Sequence, residues 1–154
     1  MRRTSLPFKL VFGSSAKLRS YEEAVIEAVT NRLDVSIATK LKAQLKLLPY
    51  RQRQDEDRII AFFPDEGNSL PEAVLFRNTH NELSFATVEM RCADGQGVVV
   101  ARLYAATRRF FSIEFDVIPS SQGIEDGRPI TIVKTLVTAN PDSPDNGTNP
   151  PAGE

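Results

Sequence analysis

The clearest pattern in the sequence is the alternation of apolar and polar residues between positions 84 and 117. Asp94 and Gly95 form the strongest short-range hairpin signal, and a two-residue turn there sets Met90 opposite Val99. Because side chains alternate along a strand, this register predicts one apolar face, called the core face here. Its predicted members are Ala86, Val88, Met90, Val99, Ala101 and Leu103.

A second hairpin around Thr107 has to keep the same phase, because a slip of one residue would turn every side chain over. An odd-length connection there predicts that Phe111, Ile113 and Phe115 join the core face. The opposite side, called the mixed face here, combines charged, aromatic and aliphatic residues. Its predicted members include Phe85 (opposite Tyr104), Glu89, Arg91, Val98, Val100, Arg102, Tyr104, Glu114 and Asp116.

Two helices are predicted before these strands. Ser20 is the expected N-cap of the first, with Glu23 completing a capping box and apolar residues following at helical spacing. The second is predicted from Asp34 as N-cap to about Leu48, and Pro49 ends it. Its apolar stripe consists of Ile37, Leu41, Leu45 and Leu48.

Shorter segments complete the expected architecture. Residues 6–12 alternate like a first strand, and YRQRQDEDR is polar enough to predict a loop. RIIAFFP is apolar on both sides and predicts a strand inside the sheet, AVLF predicts another short strand, and residues 130–137 predict an edge strand. The sequence therefore predicts an α+β fold, with two N-terminal helices on a mainly antiparallel meander sheet of about four to six strands.

We expect one domain over residues 1–137, since a chain of 154 residues can bury one sizeable core. Residues 138–154 are rich in Pro, Asn and Asp and have no large apolar residue, which predicts a disordered tail that can be removed without loss of stability.

Charge and cysteine content narrow the functional classes. Nineteen basic and twenty acidic residues give a net charge of −1, so no global field directs the chain to nucleic acid or membrane. The single cysteine, Cys92, excludes an intramolecular disulfide, and a reducing cytoplasm is the expected location. No apolar run approaches the roughly 20 residues of a membrane span.

The sequence offers little catalytic chemistry. His80 is the only histidine, in a polar segment, and Cys92 has the parity of the core face, so neither predicts a nucleophile, a base or a zinc ligand. No catalytic residue, cofactor or metal site is expected, although a carboxylate-only Mg²⁺ or Ca²⁺ site stays conceivable.

Three functional classes stay open. The first is a non-catalytic protein-binding module, such as a small inhibitor, immunity protein or adaptor. Its partner would be another protein with a basic patch, bound through Phe85, Glu89, Arg91, Arg102, Tyr104, Glu114 and Asp116. The second is an enzyme or enzyme subunit using the carboxylates of Glu89, Glu114 and Asp116. The third is a nucleic-acid-binding accessory protein using Lys40, Lys42, Lys46, Arg51, Arg53, Arg108 and Arg109.

The first class depends on what covers the mixed face. That face is too apolar to be a simple solvated surface, so either a helix of the same chain or a partner is expected to cover it.

Overall fold

The structure is a computed structural model that describes residues 17–65, 67–94 and 97–144. The described chain forms two α-helices and six strands, and the predicted α+β class is confirmed. The elements are α1 (Ser20–Thr30), α2 (Val35–Lys46), β1 (Tyr50–Gln54), β2 (Ile59–Phe63), β3 (Leu83–Cys92), β4 (Val98–Ala106), β5 (Arg109–Phe115) and β6 (Ile130–Val137). Short 3₁₀ helices cover Glu72–Val74 and Pro119–Gln122.

All strands join one antiparallel sheet in the order β1-β2-β5-β4-β3-β6. The meander β3-β4-β5 forms its middle, the β1-β2 hairpin extends it beside β5, and β6 returns to pair with β3. β2 lies inside the sheet and β6 at its edge, as their sequences predict.

Both helices pack on the core face. In α1, the Tyr21 ring meets Phe115 edge-on, with the ring centroids 5.7 Å apart. In α2, the buried Gln44 accepts a hydrogen bond from the Phe110 amide at 2.7 Å and donates one to the Val74 carbonyl. One buried cluster joins both helices to the sheet.

The predicted register of the β3-β4 hairpin is confirmed between Ala86 and Arg91. Met90 pairs with Val99, and Ala86 pairs with Leu103. All six core-face residues predicted for this hairpin are fully buried, as are Ile113 and Phe115 of β5.

The prediction that Phe111 joins the core face is wrong. The β4-β5 connection has two residues, Thr107 and Arg108, which sets Phe110 opposite Ala105. Phe111 is then the extra residue of a β-bulge, so Phe110 is fully buried and Phe111 half-buried. The extra residue that keeps the side-chain alternation of β4 and β5 in phase is therefore Phe111, within β5, rather than a residue of the turn.

The expected pairing of Phe85 with Tyr104 is also wrong. Ser84 pairs with Tyr104, and Phe85 is the extra residue of a second bulge. Phe85 is fully buried in the core, with its ring against Phe76 and Phe110, and does not lie on the mixed face.

Two further local predictions need correction, and a third is not tested. Residues 50–54, predicted as a loop, form the edge strand β1, because pairing with the apolar β2 satisfies their backbone. AVLF contributes to a 3₁₀ helix rather than a strand. The strand predicted over residues 6–12 lies outside the described residues.

The predicted capping of α1 is displaced by one residue. The helix starts at Ser20 after the N-cap Arg19, and the Glu22 carboxylate accepts a hydrogen bond from the Arg19 amide at 2.8 Å. Glu23, the predicted capping residue, is exposed. In α2, Asp34 is the N-cap as predicted.

Residues 138–144, which were predicted as the first part of a disordered tail, pack on the domain. The Thr138 amide donates to the Phe85 carbonyl, and the Asn78 amide donates to the Pro141 carbonyl. The buried Asp142 carboxylate accepts from Lys40 Nζ and from the Arg77 amide, each at 2.9 Å. These polar contacts order residues 138–144 without a large apolar side chain. Residues 145–154 lie outside the described residues.

We expect Asp142→Ala to lower the free energy of unfolding by about 1 to 3 kcal/mol, because it removes charge-assisted hydrogen bonds and leaves the Lys40 ammonium without its partner. Urea denaturation measures the change. Asp65→Ala, at an exposed carboxylate in a loop, is the control and should change little. Equal stability of both variants would show that the segment adds nothing to the fold.

Candidate functional site

The mixed face is the best candidate for a functional surface, because the described helices both lie on the opposite side of the sheet. On β3 and β4 it exposes Arg91 and Arg102 and holds Glu89 and Tyr104 half-buried. On β5 it carries the half-buried Glu114. Of the predicted partner-binding residues, these five lie together on the face.

The register places charges of opposite sign next to one another. Arg102 is directly opposite Glu114, and Glu89 is directly opposite Lys134 of β6. Such neighbours have Cβ atoms about 4.5 to 5.5 Å apart and often form ion pairs. The ion pairs found among the described residues involve other side chains.

Tyr104 lies beside this charged pair. Partial burial raises the pKa of the Tyr104 phenol and the nearby Glu114 carboxylate raises it further, because both disfavour the phenolate. Tyr104 therefore stays a neutral hydroxyl near pH 7, able to donate and accept hydrogen bonds.

Asp116 has a structural role instead. Its carboxylate accepts from the Val100 amide at 2.9 Å, and its own amide donates to the Val100 carbonyl. These bonds extend the β4-β5 pairing by one residue. Asp116 is exposed, but its carboxylate is engaged by its own fold.

Exposed apolar side chains surround the charges. Val98 is 42% exposed at one end of β4, and Leu136 of β6 is 45% exposed beside Thr87. Val133 of β6 is exposed to a similar degree. Aliphatic groups next to Arg and Tyr are the composition of an interface centre.

Sequence reasoning missed the contribution of β6 to this face. Lys134 and Leu136 extend the face beyond β3. Their alternation within residues 130–137 was visible in the sequence, but a bulge at Val133 shifts the phase, so the pairing was needed to assign their side.

The carboxylates proposed for catalysis lie on an open sheet surface. A cleft of about 430 Å³ lies elsewhere and is lined by Arg19, Tyr21, Asp57, Ser120, Ile124, Glu125 and Asp126. No three His, Cys, Asp or Glu side chains within the described ranges are grouped so that they could hold a metal ion. Cys92 is a buried free thiol, as its parity predicts.

Four of the seven cations of the nucleic-acid alternative make contacts within the fold. Lys40 pairs with Asp142, Arg53 with Glu22, and Arg108 with Glu72. Arg109 is half-buried and donates to the Phe62 and Phe110 carbonyls. Phosphate binding requires several cations directed to one side, and these are used within the fold.

Comparison with known proteins does not identify a relative: no family model, curated protein or solved structure matches the chain. Within the described residues, neither helix has the length and apolar character needed to cross a bilayer.

Proposed function

We propose that this protein is a non-catalytic protein-binding module whose partner docks on the mixed face of β3, β4, β5 and β6. The observation that carries the proposal is a group of charges, Glu89, Arg91, Arg102 and Glu114, that form no ion pair with other described residues and lie on a face away from both helices. Charges of a merely solvated sheet tend to pair across strands. Here they are arranged around Tyr104, which suits recognition of another protein.

The charge of the face indicates the chemistry of the partner. The sequence-based expectation of a basic patch rested on three acidic residues, but Asp116 is engaged with β4. Arg91 and Arg102 are exposed, whereas Glu114 is half-buried. We therefore propose a partner surface with acidic groups opposite the two arginines and a basic group opposite Glu114.

An inhibitor, an immunity protein or an adaptor would use such a surface. A cytoplasmic location fits the buried free thiol of Cys92, since a reducing compartment keeps it in that state. Association should be faster at low ionic strength, because salt screens the charges that orient the two molecules.

The charge reversal Arg102→Glu tests the proposal. We expect it to weaken binding of the partner by at least about 2 kcal/mol, or roughly 30-fold in Kd, if Arg102 lies at the interface centre. The partner is first recovered with the wild-type chain from the native host, and the affinities are then measured by calorimetry.

Arg32→Glu is the matched control, because Arg32 is an exposed arginine in the turn between the helices, away from the mixed face. It should bind like the wild type. Equal affinity of both variants, or equal loss in both, would contradict docking on the mixed face.

A further inference from the structure

The outer edge of β6 has backbone groups directed away from the sheet. β6 is the last strand in the order of the sheet, so no strand of the described chain pairs with its outer side. The Thr138 amide donates to the Phe85 carbonyl at 2.8 Å and therefore points toward β3. Successive residues of an antiparallel strand direct their backbone groups to alternate sides, so the N–H and C=O groups of Thr135 and Val137 point away from β3. They form the ladder positions that a further strand would use.

The side chains along this edge are apolar and exposed. Val133, Leu136 and Val137 are 43%, 45% and 40% exposed. At the opposite edge of the sheet, β1 has the polar sequence YRQRQ. An exposed apolar edge strand is a template for pairing with another chain, so β6 is the edge suited to strand addition.

Charge indicates the kind of strand that fits this edge. Lys134 is exposed on the mixed face and is the only charged residue of β6. Leu136 lies two residues farther along on the same face. Side chains directly opposite on neighbouring strands have Cβ atoms about 4.5 to 5.5 Å apart. A strand with an acidic residue opposite Lys134 and an apolar residue two positions away would therefore complement both.

A second copy of the chain is a poorer occupant of this edge. The β6 sequence ITIVKTLV contains no acidic residue, so pairing of β6 with its own copy would give Lys134 no opposite charge on the neighbouring strand. Two lysines would instead lie on adjacent strands, and lysine is a common protection of edge strands against self-association. Lys134 therefore favours a different protein over a copy of this chain.

We propose that the partner adds an extended segment to β6 as a further strand of the sheet, with an acidic residue facing Lys134 and an apolar residue facing Leu136. This inference rests on the proposed function, because the segment belongs to the partner that docks on the mixed face. Main-chain hydrogen bonds to Thr135 and Val137 supply affinity, and the two side-chain contacts supply selectivity.

A peptide probe tests strand addition without any change to the chain. The probe is the peptide TVTETLTVT with both ends capped, and its matched control is TVTKTLTVT. At millimolar concentration we expect TVTETLTVT to slow hydrogen exchange of the Thr135 and Val137 amides at least about tenfold, because a paired amide exchanges only when the pair opens. NMR follows each amide separately. No protection, or protection confined to β1, would overturn the proposal.

Reversal of the charge at Lys134 tests the selectivity. In the full-length Lys134→Glu variant, TVTKTLTVT should protect the two amides better than TVTETLTVT does, because the favourable and the repulsive pair are exchanged. Equal protection by both peptides in both chains would overturn the acidic residue of the proposal. Protection that grows with the concentration of the chain alone would assign the edge to a second copy and would also overturn it.

The Val137→Pro variant tests the partner itself. It removes an N–H that points outward, and proline is tolerated on an edge strand when its nitrogen faces solvent. We expect Val137→Pro to weaken binding of the protein recovered with the wild-type chain at least about tenfold by calorimetry, or about 1.4 kcal/mol. Val137→Thr keeps the N–H and the β-branched shape and should bind like the wild type.

The two proposals fail in different ways. Wild-type affinity of Val137→Pro, together with a loss of affinity in Arg102→Glu, would overturn strand addition and leave docking on the mixed face standing. Wild-type affinity of both variants would overturn both proposals. Urea denaturation of Val137→Pro shows whether its domain is folded, and the peptide measurements on the unaltered chain decide the proposal if it is not.

Discussion

Phe110→Ala should lower the free energy of unfolding by about 3 to 5 kcal/mol, the usual cost of truncating a buried phenylalanine. Phe110 is fully buried, and its ring centroid lies 4.7 Å from that of Phe62 and 6.3 Å from that of Phe85. The truncation leaves a cavity where β5 meets the helices, and rigid neighbours can only partly fill it. Urea denaturation monitored by circular dichroism measures the loss.

Phe111→Ala is the matched control, because it makes the same change at the next residue. Phe111 is half-buried, and its ring contacts are with Phe63 and with the Arg109 guanidinium, 5.5 Å away. Those contacts are together worth about 1 to 2 kcal/mol. If Phe111→Ala cost more than Phe110→Ala, the bulge in β5 would be misplaced and Phe111 would belong to the core.

Glu22→Gln should cost about 3 to 5 kcal/mol, because it leaves the guanidinium of Arg53 largely buried without its counter-charge. Glu22 is fully buried, and its carboxylate accepts from Arg53 Nη2 at 2.6 Å and from Arg53 Nε at 3.0 Å. It also accepts from the Arg19 amide. This carboxylate therefore joins the start of α1 to the edge strand β1. Thermal and urea denaturation measure the loss.

Two further variants distinguish the effect of the Glu22 and Arg53 charges on stability from the effect of side-chain packing. Glu23→Gln changes the exposed neighbour and should alter stability by less than about 0.5 kcal/mol. Glu22→Leu combined with Arg53→Met removes both charges and should recover much of the loss, since a buried pair can often be replaced by apolar side chains. A double variant less stable than Glu22→Gln would show that the pair itself stabilises the fold.

These two tests concern Phe110 and Glu22, where the sequence-based predictions differ most from the structure. The capping pattern indicated Glu23 rather than Glu22, because the one-residue difference depends on where the helix starts. The start depends on Arg19, whose side chain is hydrogen-bonded to Asp57 at the turn between β1 and β2. A local pattern has no access to a partner 38 residues away.

The candidate site, too, could be predicted only in part from the sequence. Alternation alone placed Glu89, Arg91, Arg102, Tyr104 and Glu114 on one side of the strands. It could not show that both helices lie on the other side, because two amphipathic helices could pack on either face of a sheet that is apolar in part on both. Only the tertiary structure shows which face of the sheet the two helices leave uncovered.

The sequence by itself determined the α+β class, the β3-β4 register and the edge strand β6, because alternation and turn residues act between neighbours along the chain. The tertiary structure alone decided the bulges at Phe85 and Phe111, the pairing of the polar β1 with β2, and the packing of residues 138–144. In each case a contact with residues far along the chain outweighs a local conformational preference. A bulge disrupts the hydrogen-bond ladder locally and allows Phe85 or Phe110 to fill the core. The polar strand β1 and residues 138–144 pack on the fold because their backbone groups or carboxylates form hydrogen bonds with residues far along the chain.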